Sequence, residues 1–301
     1  MMITILVTGV GGPAGYGLAR QLIERGYRVV GTDMRSISVP GIAVYRVPAA
    51  DDPTFVETLR ALTRASRAAL VIPTVSEELP ILACETDWPA PIALGPHEGV
   101  LLANDKWLTW QRLSECGVAV PRAMLPSHIQ NADHVAQALG WPCLAKPRVG
   151  RGGRGVTLYH AADIDALRAR DDRFIVQEFV PGVEYAPNVC IRHNGRDIVV
   201  PLRKTALKQG IVGNAAQVVR DDSSDVAALA CAAGRALGLS GALDIDIRRR
   251  NDGTPVVLEV NARFGANSAY APEVLGALLE DFGLRQRRYP IVPVSLLSVV
   301  I

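Results

Sequence analysis

Lysine is scarce in this chain: Lys106, Lys146, Lys204 and Lys208 stand against 28 arginines. Arginine serves wherever plain positive charge suffices. Each retained lysine is therefore a candidate for a task that a compact ammonium performs better than a planar guanidinium. Cysteine is sparse too. Cys84, Cys116, Cys143, Cys190 and Cys231 are odd in number and show no CxxC spacing, which argues for reduced, mostly buried thiols and against a disulfide frame or zinc site. No apolar stretch reaches transmembrane length, and a net charge of +2 supplies no global field for nucleic acid or a membrane surface. Repeats, low-complexity linkers and long charge blocks are missing. The opening residues run straight into a strand-like segment without a basic leader, so a cytoplasmic protein is expected. The 301 residues allow two domains or one large α/β unit with a sizeable core.

What is present begins with alternation. "ITILVTGV", "YRVVGTD", "AALVIPT" and "PIAL" read as strands; "GYGLARQLIERG", "PTFVETLRALTRA" and "EELPILACE" between them read as helices. That order predicts a doubly wound parallel α/β domain over residues 1–103. A helix, "NDKWLTWQRLSECG", follows and closes on glycine. Strands "PCLAKP", "GVTLYH" and "FIVQEFV" then interleave with the helices "ADHVAQALG" and "DIDALRAR", suggesting a small unit over 104–176. Beyond Pro181 the chain turns β-rich, and Asn251-Asp252-Gly253 between alternating strands signals a hairpin. Residues 177–301 form the expected third unit, so the fold class is mixed α/β and α+β.

Two glycine-rich stretches invite a nucleotide. In the first, "VTGVGGPAG", Thr8-Gly9-x-x-Gly12-x-x-Gly15 lies between strand and helix, and Asp33 ends the second strand. This pattern suits a dinucleotide site of an NAD-dependent short-chain-type oxidoreductase or epimerase. Such an enzyme needs a tyrosine with a lysine four residues on, and none of the seven tyrosines has one. The second stretch, "LAKPRVGRGGRG", follows Lys146 with Gly150, Gly152, Gly153 and Gly155 among three arginines. Bare backbone N–H groups beside cations are what an anion cradle requires; the alternative is a flexible hairpin with solvated arginines.

The remaining motifs fall in a fixed order. Asp105-Lys106 opens a helix, Lys146-Pro147 leads into the glycine loop, and Gln177-Glu178-x-x-x-Gly182-x-Glu184 follows. Asp246 then precedes Glu259-x-Asn261-x-Arg263 by thirteen residues. This set resembles the ATP-grasp superfamily, closest to short carbamoyl-phosphate-synthetase-like carboxylate–amine ligases. The resemblance spans nearly the whole chain, including "VIPTVSEEL" in the first domain. It implies a two-subdomain ATP-grasp unit after the parallel-sheet domain. The activity implied is ATP-dependent phosphorylation of a small-molecule carboxylate to an acyl phosphate, then displacement by a nucleophile, with an amine as the expected one. A catalytically inactive nucleotide-binding module is the remaining alternative. Ala262 and Ala266 depart from the proline and glycine that many relatives carry.

The resemblance also assigns residues. Lys106 and Lys146 supply ammonium charges to the ATP phosphates, and Gly152, Gly153 and Gly155 let a lid bring N–H groups over them. Arg151 and Arg154 either cap the γ-phosphate or face solvent. Glu178, Phe179 and Val180 form the hinge whose backbone meets adenine, with Glu184 at the ribose. Asp246, Glu259 and Asn261 offer hard oxygen donors on one sheet face to two Mg²⁺ ions, with Mn²⁺ as a substitute; Asp244 shares that face by period two. Arg263 steadies the transferring group, and Arg203 and Lys208 are candidates for the γ-phosphate or a substrate carboxylate. Lys204, by alternation, is expected in solvent. Thr74 and Glu78 are expected at the substrate, with Glu78 on its amino group. Partners are small molecules, with neither nucleic acid nor membrane, and the apolar end "VPVSLLSVVI" is expected to be buried as an edge strand or in a homodimer contact.

Overall fold

The computed structural model describes residues 2–207 and 215–284; Lys208 and the apolar C-terminal stretch lie outside the described residues. The chain begins with β1 (Thr4–Thr8), α1 (Pro13–Glu24), β2 (Arg28–Asp33), β3 (Ala43–Arg46), α2 (Phe55–Ser66) and β4 (Leu70–Ile72). The four strands are parallel in the order β3-β2-β1-β4. Alternate residues of β1 serve opposite cores: Ile5 and Val7 pack with Leu18 and Leu22 of α1, whereas Leu6 packs with Phe55 and Leu59 of α2. One helix per face is the doubly wound arrangement that the alternating pattern predicts. The expected strand "PIAL" contributes only a single parallel bridge, Ile92 to Val71.

Helices α3 (Leu79–Ala83), α4 (His97–Asn104) and α5 (Lys106–Glu115) lead out of this sheet. The helix expected over "NDKWLTWQRLSECG" is α5, and α4, which ends at Asn104, has no counterpart in the expected elements. Asp105 takes an extended conformation at the break, and its carboxylate accepts from the N–H groups of Trp107 and Leu108. An Asp N-cap satisfies two otherwise unpaired donors and fixes where α5 starts.

A small antiparallel sheet follows, made of β5 (Ala123–Met124), β6 (Cys143–Pro147), β7 (Thr157–Tyr159) and β8 (Phe174–Glu178) in the order β5-β8-β6-β7. It packs on α6 (Ala132–Ala138) and α7 (Ile164–Arg168) through Val135, Leu139 and Leu167. The larger antiparallel sheet contains β9 (Glu184–Tyr185), β10 (Asn188–Ile191), β11 (Ile198–Val200), β12 (Leu202–Leu207), β13 (Ala215–Arg220), β14 (Gly241–Arg249) and β15 (Pro255–Asn261). Its order is β11-β10-β14-β9-β12-β13, with β15 also paired to β14. Pro187 separates β9 from β10 and Pro201 separates β11 from β12, because proline has no N–H for the ladder. Runs that read as two long strands are therefore four short ones.

The odd-numbered residues Leu243, Ile245 and Ile247 of β14 pack with Val226, Ala230 and Ala233 of α8 (Ser224–Ala236). The even positions Asp244, Asp246 and Arg248 face the other way, into a cleft. A last helix, α9 (Pro272–Asp281), has no counterpart in the expected elements. Its Val274, Leu275 and Leu278 join Leu18 and Leu22 of α1 to Cys190 and Ala242 of the large sheet in one core, so the first sheet is held against the large one.

The turn from β1 into α1 is closed tightly. A Cβ on Gly15 would stand 2.3 Å from the Gly9 carbonyl oxygen, against 3.3 Å for one on Gly12. Backbone cannot yield as a flexible side chain does, so Gly15→Ala should destabilise by about 2 kcal/mol, in the range of overpacked sites. Gly12→Ala should cost under half of that. Urea melts of the two variants side by side check the difference.

Candidate active site

One cleft of about 270 Å³ lies where the three sheets meet. Its roof is the loop between β6 and β7. Gly150, Gly152, Gly153 and Gly155 all have positive φ, from 67° to 150°, conformations that side-chain-bearing residues avoid. The repeated glycine is therefore a backbone requirement, and Gly152, Gly153 and the flanking Arg151 and Arg154 line the cleft. The loop is anchored at its base. Lys106 Nζ donates to the Gly150 carbonyl at 2.7 Å, and Arg148 holds the α5 cap through Nη2 to Asp105 Oδ2 at 2.6 Å. At its tip, Arg151 Nε donates to Glu77 Oε1 of the first domain at 2.7 Å.

The floor is a sheet face of acids, each met by a cation. The antiparallel register sets Asp246 opposite Glu259 and Asp244 opposite Asn261. Lys204 Nζ donates to Asp246 Oδ1 at 2.7 Å and also to Glu184; Arg248 clasps the other oxygen of Glu184. Lys106 Nζ stands 3.2 Å from Glu259 Oε1. Arg263 donates from Nη2 to Asn261 Oδ1 at 3.1 Å, from Nη1 to the Phe264 carbonyl at 2.9 Å and from Nε to Ser76 Oγ at 3.0 Å. Buried charges persist only with such partners.

Titration follows this packing. Burial pushes the Lys146 ammonium down to about 8, assisted by Lys106 and opposed by Glu259; its Nζ donates to the Leu258 carbonyl at 3.0 Å. Burial would also lower Lys204, but Asp246 and Glu184 outweigh it and hold that ammonium above its ordinary range. Burial, reinforced by Asp246, raises the Asp244 carboxyl to about 6.

The structure brings Lys146, Gly152, Gly153, Glu184, Asp246, Glu259, Asn261, Arg263 and Thr74 to this one cleft; Glu178 and Val180 border it. Other expectations need correction. Arg203 points away from the cleft and pairs with Asp221 at 3.2 Å, while Lys204, expected in solvent, lies with its side chain only 5% exposed among the acids. Alternation along β12 is kept, but its sign is reversed. Phe179 is outside the lining, 6.0 Å from the Arg248 guanidinium. Glu178 turns its carboxylate to Arg122 and Arg250, its N–H donates to the Arg122 carbonyl, and the Val180 carbonyl accepts from Arg248. Glu78 does not reach the cleft either. It sits under the first glycine turn, where Oε2 accepts from Thr8 Oγ1 at 2.5 Å, and Thr8 Oγ1 in turn accepts from the Thr74 N–H. Ser76 was legible only as a neighbour of Thr74 in "TVSEE".

The oxygen donors fit a hard divalent ion. Asp246, Glu259 and Asn261 carry no soft atom, and among the described residues no three His, Cys, Asp or Glu side chains converge into a closed metal cage. Two carboxylates with an amide, open to a phosphate chain, are the donor set that Mg²⁺ accepts, since it takes few protein ligands and completes its shell with phosphate and water.

The ATP-grasp domain family matches residues 103–267, more than half of the chain. The chain belongs to the ATP-grasp family. Among curated relatives, it is 24% identical to the carbamoyl phosphate synthase large chain of Methanoculleus marisnigri over 60% of this chain and 18% of that one. It is 30% identical to D-alanine–D-alanine ligase A of Mesorhizobium japonicum, covering 58% of this chain and 56% of that one. It thus spans about half or less of the length of these relatives. The fold resembles the L-amino acid ligase of Bacillus licheniformis, with a TM-score of 0.69 and 17% identity over 91% of this chain and 70% of that one. Other similar structures were solved with ADP or MgADP. No helix among the described residues is long and apolar enough to cross a membrane.

Burial raises Glu78 to about 7 from an ordinary 4.5, with the Thr8 hydrogen bond opposing. A carboxyl with a raised folded pKa contributes stability that is full below its unfolded value and lost as pH climbs through the folded one. Glu78→Gln keeps the shape and cannot ionise. The variant should gain on the parent between pH 4.5 and 7, by about 3 kcal/mol once the parent is fully ionised. Urea denaturation at pH 4.5, 6 and 8 reads this, and a pH-independent gap would show that Glu78 is not held neutral.

Proposed function

We propose that this chain is an ATP-dependent carboxylate–amine ligase. The observation that carries the reading is the opposition, across one cleft, of a lysine-backed glycine lid and the Asp246–Glu259 pair with Asn261. Anion-binding backbone and hard-cation donors face each other at the separation of two adjoining sheets, which suits a polyphosphate and little else. Lys146 and the lid N–H groups bind the phosphates, with Lys106 beneath the lid. Lys204 is proposed for the role expected of Arg203, on the γ-phosphate or a substrate carboxylate. Glu184 is proposed at the ribose, and the Glu178–Val180 segment beside the base. Two Mg²⁺ ions held by Asp246, Glu259 and Asn261 would neutralise charge on the β- and γ-phosphates when bound.

The reaction needs no side-chain nucleophile. A carboxylate oxygen of the substrate attacks the γ-phosphorus and ADP leaves, giving an acyl phosphate. An amine then attacks the carbonyl carbon; phosphate departs with that oxygen and the amine loses one proton. Arg263 retains donors to steady the oxyanion, and its tether to Ser76 fixes its plane. The dinucleotide reading is weaker, because the Asp33 carboxylate that would meet a ribose is occupied by the Gly11 N–H at 2.9 Å and by Arg35 at 3.0 Å. Units at 1–103, 104–176 and 177–301, small-molecule partners, a homodimer and a cytoplasmic setting remain part of the proposal.

ADP and phosphate release over a panel of carboxylate and amine pairs tests it; Mg-ATP binding absent beside clear NAD binding would sink it. Lys146→Arg keeps charge, but its planar fork does not fit a lysine-sized site that is only 8% exposed, so most turnover should vanish, and Lys146→Ala should cost about 3 kcal/mol of transition-state stabilisation. Glu259→Gln should lower kcat roughly a hundredfold or more with the fold intact. Because burial holds the Lys146 ammonium down to about 8, MgADP affinity should be flat below about pH 8 and decline above it as the charge is lost. Parental activity in all three variants would mean that the cleft is not the nucleotide site.

A further inference from the structure

Asp244 has no part in the nucleotide and metal contacts proposed for the cleft. It lies on β14 two residues before Asp246 and lines the same cleft. Its Oδ1 is buried and has no hydrogen-bond partner. Its Oδ2 is 3.7 Å from Arg263 Nη1, beyond hydrogen-bond reach. The other charges that act on it are Asp246 and Glu259, which repel it, and Lys204, which is engaged by Glu184 and Asp246. A buried carboxylate oxygen without a donor is costly, so natural sites keep one where a partner arrives later.

The surroundings hold the group in place. A Cβ on Gly265 would stand 2.2 Å from the Asp244 carboxyl carbon, so only glycine there leaves room for this carboxylate. Arg263 has five N–H donors and uses one each on Nε, Nη1 and Nη2 for Ser76, Phe264 and Asn261. Two donors, one on each terminal nitrogen, remain for a carboxylate. Gly12, Ala14 and Ala266, all small, are in the lining of the same cleft.

We propose that Asp244 and Arg263 form a clamp for a zwitterion, and that the substrate to be activated is an α-amino acid: its carboxylate meets the spare Arg263 donors and its ammonium meets the Asp244 carboxylate. In an α-amino acid these two charges sit on adjacent carbons, which matches a guanidinium and a carboxylate that approach without bonding each other. The ammonium supplies the donor that Asp244 lacks, and a cleft of about 270 Å³ leaves space for a side chain. Asp244 thus takes the amino-group contact expected of Glu78, which the structure commits to Thr8 instead. The inference rests on the ligase reading for its chemistry and can fail without it.

The test uses binding, so that it does not require turnover. Saturation-transfer NMR on the MgADP-loaded full chain would screen the twenty L-amino acids and, for each binder, the matching des-amino acid. At least one amino acid should bind, its des-amino partner at least thirtyfold more weakly. Asp244→Asn should raise the amino acid's Kd about thirtyfold or more while leaving the MgADP Kd within threefold of the parent. Three results overturn the clamp: no amino acid binds, the des-amino acid binds equally, or Asp244→Asn weakens MgADP as much as Glu259→Gln does, which would make Asp244 a metal-set residue. Phosphate release measured separately with des-amino carboxylates keeps the ligase reading distinct. If they support turnover and amino acids do not, the ligase stands and the clamp falls.

Discussion

Strand β14 carries Asp244, Asp246 and Arg248 on one face and Leu243, Ile245 and Ile247 on the other, and much of the molecule is arranged around that division. The apolar face is covered by α8. The charged face cannot be covered by apolar groups, because desolvating a carboxylate costs more than the burial returns. It must meet cations or open to solvent, and here it does both. Lys204 bridges Asp246 and Glu184, Arg248 takes the other side of Glu184, and Lys106 reaches Glu259 from α5. The lid closes over what remains, with Lys106 also holding its Gly150 carbonyl.

That economy explains the few lysines. All three of the described ones are inside the cleft region, between 5% and 9% exposed, and each donates to a carbonyl or carboxylate there. A compact ammonium can serve two acceptors in a confined space where a guanidinium plane would not fit. Arginine takes the positions where a fork is useful: Arg248 on Glu184, Arg250 on Glu178, Arg148 on Asp105. These cations and acids compensate one another. Arrival of phosphates and a divalent ion would exchange protein–protein pairs for protein–ligand pairs, so little net charge need be buried afresh.

The first sheet contributes through the ends of its strands. Gly9, Gly12 and Thr74 follow β1 and β4 and line the cleft, as expected where ligands bind beyond the carboxyl ends of parallel strands. Ser76 orients Arg263 and Glu77 meets Arg151 of the lid. One short segment, 74–77, therefore touches both the guanidinium and the roof.

Local pattern by itself determined a good deal. The parallel sheet followed from strand–helix alternation, the start of α5 from Asp105 before Lys106, and the β14–β15 hairpin from Asn251–Gly253. Facing of Asp246 and Glu259 followed from that hairpin, since a tight turn sets the register of both strands. The glycine loop was legible because only glycine adopts four positive-φ positions in six residues. What the tertiary structure alone decided was the sign of a face and the owner of a contact. Alternation on β12 says that Arg203 and Lys204 oppose one another, yet which points inward depends on β9 entering between β12 and β14, a long-range pairing absent from either strand's own sequence. Glu78 looked free until the packing of β1 placed the Thr8 hydroxyl against it. Asp244 read as a spare acid until its partners could be counted. Residue type and spacing carry chemistry; which groups are already satisfied is a property of the folded neighbourhood.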